Sequence, residues 1–252
     1  MNSKTEAIVL RAIKYGEQKM IVHMFTREHG RLSFVATLPR SARAKLKKQY
    51  FQPLTLLYIE SDVRQNLQLQ KLADAALLAP LPSLLGDASK LAISLFVSEF
   101  LYYALRDEQQ NGPLFDYVRS SIEWLDACPS AFANFHLVFL MRLSRFLGFF
   151  PNLEEVVRGE RRGERIDRAV FFDLRAACFT ATAPLHCDFL MPEEADHIRL
   201  LMRMDFPTMH LFRLSQAQRR RILEILLLYY RLHMPQMPDL RSVEVLQELF
   251  AD

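Results

Sequence analysis

The chain has 252 residues, of which half are hydrophobic and only seven are glycine, a composition typical of a globular, mostly helical protein. This composition excludes a fibrous or disordered chain, and no apolar run is long enough to predict a membrane span. The first ten residues do not resemble a signal peptide. The three cysteines, Cys128, Cys178 and Cys187, are too few for a disulfide framework. We therefore expect a cytosolic protein without a membrane association.

Charge is distributed unevenly along the chain. Residues 1–80 contain 13 Lys and Arg against 6 Asp and Glu, a net charge of +7. The remaining residues contain 19 basic against 23 acidic side chains, a net charge of −4. A basic front segment joined to a mildly acidic body predicts a module that binds a polyanion and a separate body that binds partners.

The first 80 residues contain five short runs rich in β-branched, aromatic and leucine residues, each bounded by a turn signal, and these runs predict strands. The runs are Ala7–Tyr15, Met20–Thr26, Arg31–Leu38, Leu54–Ser61 and Asn66–Leu72. Five short strands are too few for a large sandwich. They predict a small closed barrel, most economically the five-stranded OB-fold.

Pro80 and Pro82 mark the change to helical periodicity. Ser83 is expected to cap a first helix, and further helices are expected to begin at Gly112, Pro192 and Ser215, to span Ala131–Leu147 and to end the chain from Ser242. A short strand is expected at Val170–Phe179. The prediction is an α+β protein with two domains, an OB-fold nucleic-acid-binding domain at residues 1–79 and a mostly α-helical partner-binding domain at residues 80–252.

The basic segment between the third and fourth predicted strands contains five cations and no acid. These cations are Arg40, Arg43, Lys45, Lys47 and Lys48. OB-fold strands and loops commonly bind oligonucleotides, and a neighbouring aromatic ring such as that of Tyr50 can stack on a base. Lys14, Lys19 and Arg31 are expected near the predicted turns between the strands. We predict that these nine residues contact nucleic-acid phosphates and bases, without reading sequence.

Catalytic motifs are absent from the sequence: it contains no phosphate-binding loop, no HExxH and no GxSxG. Cys178, His186 and Cys187 are the nearest approach to a metal cluster, but a tetrahedral zinc site needs four ligands. We therefore expect no metal, no cofactor and no enzyme activity. An enzyme that uses one of these thiols with His186 is the alternative from another class.

Several segments together resemble the bacterial recombination-mediator family RecO. They are EAIVLRAIKYGEQKMIVHMFTREHGRLSFVA and QPLTLLYIE in the first domain, and LGFFPNL, VFFDLRAACF and RRILEILLLYYRLHMPQMPDLRSVEVLQELF in the second. The resemblance covers nearly the whole chain in the family's order. Many members carry a four-cysteine zinc module after the LGxxPNL segment, whereas this chain continues with EEVVRGERRGERIDR, so the resemblance does not extend to zinc.

The resemblance implies a function in DNA repair and homologous recombination. Family members bind single- and double-stranded DNA and anneal complementary strands. They bind RecR and the acidic C-terminal tail of single-stranded DNA-binding protein, and thereby help to load RecA onto coated strands. By this resemblance the protein is a cytoplasmic bacterial protein, associated with the nucleoid during repair. Arg142 and Arg145, which lie among apolar residues of one helix, are candidates for binding the tail of single-stranded DNA-binding protein. An RNA-binding OB-fold scaffold is the alternative that residue patterns leave open.

Overall fold

The computed structural model describes residues 3–38, 46–64, 66–153 and 170–249. The described strands are β1 (Ser3–Lys14), β2 (Lys19–Thr26), β3 (Gly30–Thr37), β4 (Leu56–Ser61), β5 (Leu69–Leu77), β6 (Phe171–Asp173), β7 (Cys178–Thr180) and β8 (Phe189–Leu190). The described helices are α1 (Pro82–Gly86), α2 (Ala88–Ala104), α3 (Gly112–Ala127), α4 (Phe135–Phe146), α5 (Pro192–Arg203), α6 (Gln216–His233) and α7 (Ser242–Leu249). Short 3-10 turns lie at Lys48–Phe51 and Met209–Leu211. The predicted α+β class is confirmed.

The first five strands close into a barrel in the order β1-β2-β3-β5-β4. β1 pairs with both β2 and β4, and β3 runs parallel to β5, which is the strand order of an OB-fold. Side chains on alternate positions, including Val9, Val22, Met24 and Phe34, fill the interior. Phe51, from the 3-10 turn, completes this core. The predicted five-stranded barrel is confirmed.

Several observed strands differ in extent from their predictions; β1 begins at Ser3 rather than Ala7 and β4 at Leu56 rather than Leu54. β5 begins at Leu69 rather than Asn66 and continues to Leu77. The segment before it is held by Gln70, which is 2% exposed and bonds through its amide to Arg64 and to Leu67. The single strand predicted at Val170–Phe179 is a hairpin of β6 and β7, because Asp173 accepts backbone N–H bonds from Arg175 and Ala176 and so forms the turn.

The observed starts of two helices also differ from the predicted starts. Asp87, not Ser83, caps the long helix α2, and its carboxylate accepts the Lys90 N–H at 3.0 Å. α4 begins at Phe135 rather than Ala131, because Ala131 has a left-handed φ of 61° that a helix does not accept. The cap predicted at Ser215 is present as a capping box, since its hydroxyl accepts the Gln218 N–H and the Gln218 side chain accepts the Ser215 N–H.

The chain divides into two compact units. The first unit contains Met1–Pro129 with Pro238–Asp252, and the second contains Ser130–Met237. In the first unit the barrel packs against α2, whose buried Ser98 hydroxyl bonds to the Leu10 carbonyl, and α7 packs on α2. The second unit holds α4 to α6 and the small sheet of β6, β7 and β8. The predicted boundary between a nucleic-acid-binding domain at residues 1–79 and a partner-binding domain at residues 80–252 stays a prediction.

Gly30 lies where the barrel closely approaches the α2–α3 connection. It has a φ of +68°, and a Cβ there would overlap the backbone of Glu108 and Gln109. The adjacent Arg31 N–H donates to the Glu108 carbonyl at 3.1 Å. Only glycine satisfies both the left-handed conformation and this contact. The first unit therefore fixes its barrel against its helices through a backbone contact.

Candidate nucleic-acid interface

The β1–β2 hairpin carries two of the predicted DNA-binding lysines. Lys14 ends β1 and Lys19 begins β2, and both side chains are exposed. The hairpin closes through a 2.8 Å bond from the Tyr15 N–H to the Lys19 carbonyl, with Gly16 at a φ of +78° in the turn. The Tyr15 ring is 56% exposed beside both lysines. The structure thus brings two cations and an aromatic ring together in the loop that joins the first two OB-fold strands, one of the usual oligonucleotide-binding loops of the fold.

The outer face of β2, β3 and β5 extends this charged hairpin. Residues paired across a sheet share a face, and Lys19 pairs with Thr37 while Ile21 pairs with Val35. Val35 in turn pairs with Lys71 of β5, which is exposed. Sequence reasoning missed both Lys71 and Tyr15. The alternation in NLQLQKL gave no signal for Lys71, because it places this lysine on the same face as Leu67 and Leu69, and in the structure that face is exposed while Gln70 and Leu72 are buried.

The other end of the same face is covered by helices of the first unit. The His23 and Tyr102 rings meet edge-on at 5.0 Å, and Phe25 packs on Phe115 at 5.6 Å. Arg31, a predicted DNA-binding residue, lies 4.5 Å over the Tyr102 ring and donates to the Arg106 carbonyl at 3.3 Å. Burial lowers the pKa of Arg31. Arg31 is therefore engaged within the fold, whereas the hairpin end of the face is open.

His23 is neutral at physiological pH. Burial, together with the positive charges of Arg31 and Arg11, lowers the pKa of His23 to about 4. Its Nδ1 lies 2.7 Å from the Ser33 hydroxyl on the neighbouring strand. The imidazole therefore adds no charge to the face, and the cationic character comes from lysine and arginine side chains.

The end of the predicted basic segment lies in the 3-10 turn. Lys47 and Lys48 are exposed there, while Tyr50 packs its ring against the barrel core rather than standing free. The Tyr50 N–H donates to the Lys47 carbonyl at 3.0 Å. The other three cations of the segment, Arg40, Arg43 and Lys45, lie outside the described residues. The structure thus describes two of the five cations of that segment.

Ion pairing distinguishes these lysines from other cations of the first unit. Arg27 and Arg119 both pair with Glu6, and each has a second carboxylate, Asp116 and Glu123 respectively. In contrast, five lysines have no carboxylate partner among the residues that the structure describes. They are Lys14, Lys19, Lys47, Lys48 and Lys71. Arg27 and Arg119 join the barrel to α3, whereas the five lysines remain available to an anionic ligand.

The two predicted partner-binding arginines lie in different environments of the second unit. The Arg142 side chain donates twice to the Met204 carbonyl, at 3.2 and 2.8 Å, and pairs with Asp205. Arg145 is exposed, and its guanidinium lies 4.4 Å over the Phe150 ring. Arg142 thus holds the end of α5, while Arg145 presents its charge to solvent. A role of either in partner binding stays a prediction.

The thiols and histidine considered for chemistry are not arranged as a metal centre. His186 Nε2 lies 3.2 Å from Asp173 Oδ2, and its Nδ1 accepts the Asp188 N–H at 3.2 Å, so both ring nitrogens serve the β7–β8 connection. The cysteines are free thiols. Within residues 3–38, 46–64, 66–153 and 170–249, no three His, Cys, Asp or Glu side chains are placed to hold a metal ion. None of the helices described is long and apolar enough to cross a membrane.

A closed barrel of OB-fold strand order, with exposed lysines on and beside its outer face and a helical region after it, defines an OB-fold protein with a helical body. Two family models cover nearly all of the chain. Recombination protein O N terminal matches residues 1–81, and recombination protein O C terminal matches residues 85–242. The chain therefore belongs to the recombination protein O family, which confirms the resemblance drawn from its sequence motifs.

Curated relatives agree with this assignment over full length. The chain is 47% identical over 251 residues to the DNA repair protein RecO of Phocaeicola vulgatus, covering 100% of both chains. It is 47% identical to the DNA repair protein RecO of Bacteroides fragilis, covering 99% of this chain and 100% of that relative. It is also 34% identical to the DNA repair protein RecO of Porphyromonas gingivalis, covering 98% of each.

Proposed function

We propose that this protein is a recombination mediator in bacterial DNA repair and that the hairpin end of its barrel face holds DNA phosphates. The observation that carries the proposal is a set of five lysines on and beside an OB-fold face, none of which has a carboxylate partner within the described part of the chain. Phosphate contacts from lysines supply affinity without reading sequence. Family membership and the names of the relatives point to DNA as the polyanion. Arg40, Arg43 and Lys45 extend this interface in the proposal.

The helical body is proposed to hold protein partners. In this proposal the second unit contacts RecR and the tail of single-stranded DNA-binding protein, with Arg145 as the exposed cation, and the complex assists RecA loading. A mediator of this kind needs no bond chemistry and acts without a cofactor. Binding the coating protein and the DNA together makes the second contact effectively intramolecular, which raises its probability. The protein would act in the cytoplasm, at the nucleoid during repair.

The test is a titration of fluorescein-labelled single-stranded DNA by anisotropy at several salt concentrations. If the five lysines each neutralise one phosphate, they contribute about −3.5 to the slope of log K against log[salt]. Changing all five to Gln is expected to remove most of that slope and to weaken binding at low salt. Arg203→Gln with Arg213→Gln, at two exposed arginines of the second unit, is the control for loss of positive charge outside the barrel.

Unchanged affinity and slope in the five-lysine variant would refute the assignment of the interface. The same titration with an RNA strand of equal length separates a DNA mediator from an RNA-binding scaffold, because the scaffold would prefer RNA. Annealing of complementary oligonucleotides, followed by fluorescence quenching, tests the activity beyond binding. Insensitivity of annealing to thiol alkylation is expected, since the proposal gives the cysteines no role.

A further inference from the structure

The first unit contains a cleft of about 530 Å³ beside the cationic face. It lies between β1, the 3-10 turn at Lys48–Phe51, α2 and α7. Its apolar lining includes Leu10, Met20 and Phe51, and Leu95 and Val245 remain 38% and 42% exposed. This volume is in the range of small-ligand sites, about 300–1,000 Å³. The cleft is thus large enough for a planar organic group.

The rim of the cleft is cationic. Arg11, Lys48 and Arg241 come from three different elements, and none has a carboxylate partner in the part of the chain that the structure describes. Glu99 is the one acidic side chain among the described lining residues. Its carboxylate accepts the Ser242 N–H at 2.8 Å, the Ser242 hydroxyl and the Arg241 N–H at 3.3 Å. The Glu99 carboxylate is therefore hydrogen-bonded to the start of α7. The three cations of the rim outnumber this one acid and favour an anionic occupant.

Arg11 is supported by an aromatic ring at the cleft. It follows a register shift in the pairing of β1 with β2, and such bulges re-aim side chains. Its guanidinium lies 5.0 Å over the Tyr102 ring, which supports one side of the planar cation. Arginine planes held in this way stack on unpaired nucleic-acid bases. The site therefore combines a flat cation, an apolar lining and further positive charge.

The cations of the cleft continue the cations of the proposed DNA interface. Arg11 lies three residues before Lys14 on β1, and Lys48 directly follows Lys47. We propose, on the basis of the proposed function, that this cleft is a single-strand subsite that receives an unpaired base of the bound DNA. A base of an intact duplex is held in the stack and cannot enter a cleft without being extruded. The subsite would therefore favour single strands over duplex.

The experiment compares two oligonucleotides that carry the same phosphates. One is a fluorescein-labelled thymidine 20-mer, and the other has an abasic site at every position. Stacking of one base in the cleft is expected to make the intact strand bind about tenfold tighter to the parent protein. Val245→Trp, which fills the cleft, is expected to bind both strands equally. Arg241→Gln is expected to weaken both and to reduce the salt slope by about 0.7.

Controls of matched chemistry come from exposed positions of the second unit. Leu228→Trp and Arg203→Gln are expected to behave as the parent, because neither lies at the cleft. Circular dichroism verifies the folding of each variant. If Val245→Trp does not fold, Arg11→Gln replaces it, since loss of the stacking plane also abolishes the discrimination against abasic DNA.

The outcomes separate this proposal from the function on which it rests. If the parent binds both strands equally, or if Val245→Trp still discriminates, the subsite is wrong while DNA binding by the barrel face stands. If the parent binds neither strand, the proposed function fails and the subsite with it. If an octapeptide of alternating Asp and Phe binds the parent but not Val245→Trp, and the DNA strands are not discriminated, the cleft is a protein-docking site and the proposal is wrong.

Discussion

Lys90 offers the sharpest test of how the first unit is held together. It lies on α2 and is 2% exposed, so its ammonium is shielded from solvent. The Nζ donates to the Ser83 hydroxyl at 2.7 Å, and to the Asp126 and Cys128 carbonyls at 2.9 and 2.6 Å. The two carbonyls belong to the C-terminal end of α3, where the helix dipole favours a positive charge. One side chain thus joins α1, α2 and α3.

Lys90→Met keeps the length of the apolar stem and removes the charge. Each hydrogen bond from a charged donor contributes about 1.5–3 kcal/mol, and three are lost. Part of this loss is recovered because a buried ammonium no longer has to be desolvated, a cost of several kcal/mol. The variant leaves three buried acceptors without this donor, at about 1–3 kcal/mol each, and after the recovered desolvation is subtracted we expect a net loss of about 3–5 kcal/mol.

The single tryptophan provides the assay. Trp124 lies on α3, one turn or less from two of the three acceptors of Lys90, so its fluorescence in urea reports unfolding of the first unit. Lys71→Met, at an exposed lysine of the barrel, is the matched control and should change stability by less than about 0.5 kcal/mol. A Lys90→Met variant within about 1 kcal/mol of the parent, with an unchanged slope, would refute the reasoning.

Two further predictions concern Gly30 and His136. Gly30→Ala should destabilise the first unit by more than about 3 kcal/mol in the same urea assay, because strain at positive φ adds to a backbone clash. Gly16→Ala, also at positive φ but in open space, should destabilise it much less. Equal losses of stability in the two variants would contradict this reasoning. Burial and Arg219 lower the pKa of His136 to about 3, so its stabilising contribution is complete above its ordinary pKa and is lost as pH falls. Between pH 7 and pH 5 the loss should be about 2 kcal/mol by circular dichroism in urea, and His136→Phe should abolish it; an identical pH dependence in both proteins would contradict the assignment.

The barrel was predictable because its signals are local. Strand runs, turn glycines and the alternation of apolar residues reflect short-range sterics and a period of two, which need no knowledge of distant contacts. The start of α2 was predicted less well, because two cap candidates, Ser83 and Asp87, lie four residues apart. Asp87 caps α2, while the Ser83 hydroxyl accepts a bond from the buried Lys90. That choice depends on α3, which is distant in sequence.

The candidate site likewise combines features that the sequence predicts with features that depend on tertiary contacts. The sequence by itself determined that excess positive charge is confined to the first 80 residues, that those residues form an OB-fold barrel, and that the chain resembles its family. Only the tertiary structure decided which cations are available to a ligand. Arg31 contacts the Tyr102 ring and Arg142 bonds to the Met204 carbonyl, whereas Lys71 lies exposed on the open face of the barrel. The reason is physical, because a charge is neutralised by neighbours in space. Strand register and helix docking bring those neighbours together from distant parts of the chain, so composition and spacing cannot identify them.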